Sequence, residues 1–361
     1  MYSSFNNMTL RKALTQEKPS FPRESQVCGN SFSPKWPTVT DNNVVSWDAF
    51  NLHNLNASYG HILDRLIPES QLDVPKPSSV FSPVQEIAKP HDINHLIKWS
   101  DGVLGPTFEF ARKILELQPG TAVKRDFMQP EQTYDRPGLS NETKTGRIKV
   151  DHTIQLDDLE MPMLVMGLGR TSRQFPGRHL VQHYREGAYR PLRQLANLCA
   201  HSNTRYGYIL TDEDFVACCF STKDPSNKDS GWTVAVKAVP WTKAGETQLT
   251  TDLALWWLCM LAVSDPRNRR LTRKEDRIEI DHWDVCLSKD GLGLVYRHHY
   301  SLLEKSINSA EGIAAASEDP FLGLNADAGV HFGPAPAFFQ GANDDWANLP
   351  NFNIFPGPNQ N

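Results

Sequence analysis

Arginine gathers in one short stretch of this chain, and a guanidinium is the side chain that grips a phosphate with paired N–H donors. Arg170, Arg173, Arg178, Arg185, Arg190 and Arg193 fall within 24 residues, opposed only by Glu186. A second cluster, Arg267, Arg269, Arg270, Arg273 and Lys274, is of the same kind. Such clusters can track a nucleic-acid backbone, and they can equally be the solvated face of a folded unit. Other spacings carry less. Val234-Ala235-Val236-Lys237 matches the kinase strand that bears the ATP lysine, but the Gly-rich loop, the HRD and the DFG that must accompany it are missing. Gly167-Leu168-Gly169 follows an apolar run as a dinucleotide loop would, without the third glycine. His179 and His183 are four apart and could share a metal on one helix face, yet no third ligand stands out. His298 and His299 are adjacent, which points them to different faces. No cysteine stands in a nucleophile context, and there is no GxSxG elbow.

The elements that must position these groups are of both kinds. Asp48 to Leu66 has apolar residues at helical spacing, and Thr107 to Leu117 gives an amphipathic helix after the Gly105-Pro106 break. Arg147 to Ile154 alternates as a strand, and Pro162 to Leu168 is an apolar strand. Pro191 to His201 predicts a helix with proline in its tolerated first turn. Tyr206 to Leu210 and Phe215 to Ser221 form two strands around a Thr-Asp-Glu-Asp turn, and Trp232 to Val239 a third. Thr250 offers N-cap chemistry for a helix through Val263 that is apolar all round and therefore buried.

Asp151 stands in the first of these strands, within Arg147-Ile148-Lys149-Val150-Asp151-His152. Seventeen residues on, the second strand runs Val165-Met166-Gly167-Leu168-Gly169-Arg170; the next helix carries Gln194, and Thr204-Arg205-Tyr206-Gly207-Tyr208-Ile209-Leu210-Thr211 follows. This layout, over about residues 145–265, resembles the PD-(D/E)XK nuclease superfamily, and within it a group of fungal proteins often linked to fungal-type kinase domains. The resemblance implies a restriction-endonuclease-like core, a mixed central sheet flanked by helices. In that superfamily two acids from adjacent strands hold a divalent cation, which activates a water, while a nearby lysine steadies charge. Asp151 matches the first acid and Gln194 the helical glutamine, but Leu168 falls where the second acid belongs and Arg170 where the lysine belongs. Leucine offers no oxygen, and arginine keeps its proton, so a general-base role is lost. The resemblance therefore implies a degenerate, inactive nuclease with no cofactor, acting by binding protein or nucleic acid through the arginines from Arg170 to Arg193. The alternative is a divergent nuclease that keeps magnesium or manganese by recruiting Asp126 or the helical Glu109. A third reading is an accessory protein of a fungal biosynthetic gene cluster.

Composition bounds the rest. At 39% hydrophobic and 22% charged, the 361 residues can bury a real core. Residues 1–305 carry 37 bases and 36 acids, whereas six acids and no base follow Lys305. Ser, Asn, Thr and Pro dominate residues 1–45, which predicts a disordered arm, and a single α/β domain is expected over 46–305. Six Pro and six Gly interrupt every short run after residue 309, so 306–361 reads as a disordered acidic tail. Its seven aromatics, from Phe321 to Phe355, could anchor a protein partner. The longest apolar run, Leu253 to Val263, is 11 residues, short of the roughly 20 that span a bilayer, and no secretory signal is visible. Six cysteines without a regular framework point to reduced thiols in an intracellular protein of the cytoplasm or nucleus.

Overall fold

The computed structural model describes residues 7–22, 29–68, 71–117, 148–156, 163–180, 189–225, 227 and 230–307, with two short strands at 123–124 and 133–134. In chain order these form β1 (Asn7–Thr9), α1 (Leu10–Leu14), β2 (Val44–Ser46), α2 (Leu52–Leu63), β3 (Leu66–Pro68), α3 (Pro77–Phe81) and α4 (Ile93–Ile114). The short strands β4 (Val123–Lys124), β5 (Thr133–Tyr134) and β6 (Ile148–Lys149) come next. The centre holds β7 (His152–Leu156), β8 (Met163–Gly169), α5 (Arg190–Ser202), β9 (Tyr206–Leu210), β10 (Asp214–Thr222) and β11 (Trp232–Pro240). Last come α6 (Thr251–Ser264), α7 (Pro266–Arg269), β12 (Trp283–Leu287), β13 (Leu294–His298) and β14 (Glu304–Ser306).

A mixed seven-stranded sheet in the order β2-β11-β10-β9-β8-β7-β4 organises the chain, which is α/β as the alternating pattern predicts. β8 and β9 are parallel and joined through α5; β9, β10 and β11 form an antiparallel meander. The strands are apolar on both faces because helices cover both. Tyr206, Tyr208 and Leu210 of β9, with Phe215, Ala217 and Cys219 of β10, face the core built by α1, α2, α4 and α6. The alternate residues Ile209, Val216, Cys218 and Phe220 face a second core with Leu192, Leu195 and Cys199 of α5. This period-two split is what a sheet buried on both sides requires. Helix α6 is buried throughout, its first turn capped by Thr250, whose hydroxyl accepts the Leu253 N–H at 3.3 Å. A separate three-stranded meander, β12-β13-β14, follows it.

Three expectations need correction. Residues 7–22 and 29–45 are not a disordered arm, and the compact unit includes them, ending at Ser306. Leu10, Ala13 and Leu14 of α1 are fully buried in the larger core, and β2 forms the sheet edge beside β11. The Gly105-Pro106 pair does not stop α4, which runs through it. Burial of Ile93, Leu96, Ile97, Val103, Leu104, Thr107, Phe108 and Ala111 along one stripe outweighs the one backbone hydrogen bond that proline forfeits. The strand expected over 147–154 is broken at Asp151, where the backbone bends between β6 and β7. The acidic tail lies outside the described residues beyond Ile307.

Candidate functional site

Asp151 sits at the bend just before β7, and Arg170 follows the last residue of β8, the strand paired with β7. The two carboxyl-terminal residues of β8 therefore come alongside the bend. The Gly169 N–H donates to Asp151 Oδ2 at 3.0 Å, and Arg170 Nη1 donates to the same oxygen at 2.7 Å. Arg170 also donates through Nη2 to Oε1 of Gln194 on α5 at 2.5 Å, and through Nη1 to the Gly169 carbonyl. Its backbone N–H donates to the Leu210 carbonyl at 2.9 Å, which ties the residue to the end of β9. The three residues picked out by the resemblance thus converge around Arg170, a residue only 8% exposed.

The chemistry this arrangement permits is narrow. Asp151 spends Oδ2 on an N–H and a guanidinium, so a metal ion on this carboxylate would stand beside the positive charge of Arg170. Leu168, two residues before Arg170, is fully buried against the α5 face and contributes no oxygen. One carboxylate already neutralised by arginine does not fit a magnesium or manganese site, which takes several oxygen ligands. Among the described residues, no group of three His, Cys, Asp or Glu is gathered to hold a metal ion.

Asp126 lies outside the described residues. Glu109 faces its own helix, 3.3 Å from Arg112 and 3.8 Å from Lys113. It is about 24 Å along α4 from Ile93, the residue that packs over Gly169.

Most of the arginines are engaged within the fold. Arg178 pairs with Asp214 at 2.5 Å. Arg193 donates to the Pro37 and Trp36 carbonyls at 2.9 and 3.1 Å, and both Arg190 and Arg193 lie over the Phe32 ring. Arg173 is exposed, and Arg185 lies outside the described residues. In the second cluster Arg269 is buried and Arg267 pairs with Asp265 at 3.0 Å. Nothing is described of the His179 side chain or of His183.

Two buried polar groups escape the sequence. His152, fully buried, hydrogen-bonds Tyr208 through Nδ1 and Asp101 of α4 through Nε2 at 3.0 Å. The chain across the sheet works because Gly167 lies between its ends in register; a Cβ there would stand 2.5 Å from Tyr208 Cζ. The apolar strand with glycine at its centre was the one available signal. Lys18 is the second group: its Nζ donates to Thr251 and, at 2.9 Å, to Asp252 Oδ2, which also accepts the Trp99 indole N–H at 2.9 Å. Burial pushes the Lys18 amine below its ordinary range, against the pull of Asp252.

No protein-family model matches this chain, and none of the curated proteins or solved structures compared with it matches either.

Proposed function

We propose that this chain is a nuclease-like protein that acts by binding and does not cut, on a restriction-endonuclease-like core. The order β7, β8, α5 and the β9–β10 hairpin supports that reading, since it carries the acid and the basic residue at the neighbouring ends of adjacent strands. The observation that supports it is the Arg170 guanidinium, 2.7 Å from Asp151, paired with the carboxylate that the resemblance assigns to a cation. A guanidinium stabilises the carboxylate, but it neither binds a water as a Lewis acid nor accepts its proton. The partner is nucleic acid or protein, met in the cytoplasm or nucleus. Among the described residues no helix is long and apolar enough to cross a membrane.

The test is purified full-length protein with labelled DNA and RNA in magnesium and in manganese. The reading expects intact substrate and a melting temperature unmoved by either ion. Metal-dependent cleavage abolished in Asp151→Ala would refute it and establish the divergent nuclease. Electrophoretic shifts at low salt, with Arg173 and Arg190 changed to Glu, identify the partner class; binding that ignores both substitutions and salt removes nucleic acid held by these arginines.

A further inference from the structure

Residues 29–37 lie against the start of α5 and the loop after β8 without joining a sheet. Polar and ring contacts hold this strap. Asn30 Nδ2 donates to the Gln174 carbonyl at 2.7 Å, and Arg193 holds the Trp36 and Pro37 carbonyls. The Phe32 ring, 53% exposed, lies 5.4 Å from the Arg190 guanidinium and 5.1 Å from that of Arg193. Between these anchors the strap turns at Ser33-Pro34-Lys35-Trp36. The Trp36 N–H donates to the Ser33 carbonyl at 3.2 Å, and the Lys35 N–H to Ser33 Oγ at 3.3 Å.

The two arginines differ in what they have left. Arg193 spends Nε and Nη2 on carbonyls. Arg190 is exposed and has only the ring, with no hydrogen-bond partner among the described residues. A guanidinium with no hydrogen-bond partner among the described residues therefore lies over the ring of Phe32, the residue that precedes Ser33 and its Ser-Pro turn.

We propose that Ser33 is a phosphorylation site for a proline-directed serine kinase, and that Arg190 holds the phosphate and locks the strap onto α5. In the transfer, Ser33 Oγ attacks the γ-phosphorus of ATP. The new O–P bond forms as the bond to the β-phosphate oxygen breaks; ADP leaves with that electron pair, and the hydroxyl proton passes to the kinase's carboxylate base. The product brings nearly two negative charges and three acceptor oxygens next to a fork of donors. The chain's other Ser-Pro, Ser82-Pro83, is a poorer substrate: Ser82 closes α3 at φ −55° and ψ −33°, helical angles at odds with an extended Ser-Pro. The proposal does not rest on the nuclease-like reading: it needs the strap and Arg190, and Ser33 phosphorylation is read without any nucleic acid present.

The experiment incubates full-length protein with ATP and a proline-directed serine kinase, locates phosphate by mass spectrometry, and follows trypsin cleavage after Lys35, which requires the strap to lift. Phosphate on Ser33 is expected, with cleavage slowed about tenfold, the equivalent of one net charge-assisted hydrogen bond. Arg190→Ala carries the same phosphate but loses the slowing, and Ser33→Ala shows neither. Absence of phosphate at Ser33 overturns the proposal, as does equal slowing in wild type and Arg190→Ala.

Discussion

His298 makes the β12–β14 meander acid-sensitive, by an amount its surroundings set. The ring is 1% exposed, and Trp283 meets it edge-on at 4.9 Å. Nδ1 accepts the Ser301 N–H at 3.1 Å and meets the Ser301 hydroxyl at 3.0 Å, so Nε2 carries the proton it donates to the Ile280 carbonyl at 3.1 Å. A second proton would have to enter at Nδ1, against a fixed N–H. Burial first, then His299 and Lys305, bring the pKa down to about 4 from 6.5, outweighing the pull of the Ile280 carbonyl and Asp281. With the folded value below the unfolded one, the unfolded chain binds more protons between about pH 4 and 6.5. The stability from neutral His298 is therefore complete above pH 6.5 and is lost as pH falls through that window. The loss works out at about 2 kcal/mol at pH 5 and about 3 kcal/mol below pH 4, at 1.36 kcal/mol per unit. Urea unfolding of wild type and His298→Gln at pH 7 and pH 5 checks it, since every other titration cancels in the difference. Wild type should lose about 2 kcal/mol more than the variant over that interval. Parallel losses would mean that the folded ring charges freely, and the tautomer argument would fail.

Three further outcomes follow from the polar contacts. Arg170→Met should cost about 3 kcal/mol by stranding Asp151, and adding Asp151→Asn should restore 1 kcal/mol or more, read from urea midpoints in a double-mutant cycle. Gly167→Ala drives a methyl into Tyr208 and should cost about 1–3 kcal/mol while separating Tyr208 from His152, visible as a shifted imidazole resonance by NMR. Lys18→Met should cost about 3 kcal/mol at pH 7 by leaving Asp252 without its cation. Because burial lowers the Lys18 pKa, the folded protein holds that proton less tightly than the unfolded chain. Wild type therefore gains stability as pH rises toward 10.5, and the cost of Lys18→Met should widen as pH approaches that value in urea titrations.

What could be read in the sequence were the elements whose apolar pattern is set locally. β9 falls where Tyr206 to Leu210 predicts it; β10, β11, α5 and α6 match within a residue or two, since each buries a continuous face and ends at chemistry close by, such as the Thr250 cap. The first 45 residues misled because α1 has five residues and its burial comes wholly from distant partners. Pro106 misled because a local rule met a longer buried stripe. The meander β12–β14 left no clear periodicity, with Val285, Leu287 and Leu294 more than half exposed. The convergence of Asp151, Arg170 and Gln194 was legible through the resemblance, since spacing alone does not pair β7 with β8. The engagement of Arg178 by Asp214 and of Arg193 by the strap lies in tertiary contacts that no linear pattern encodes.

The buried ammonium of Lys18 sets a problem for synthesis. Its partners Thr251 and Asp252 lie 233 and 234 residues later, and Leu14 meets Thr250 across 236. At about 5–20 residues per second, a ribosome delivers that stretch only after roughly 12–47 seconds. Throughout that wait the apolar side chains of α1 have no α6 to shelter them. A fusion or truncation that disturbs the first 22 residues would then fail at assembly, long before it could be judged on binding.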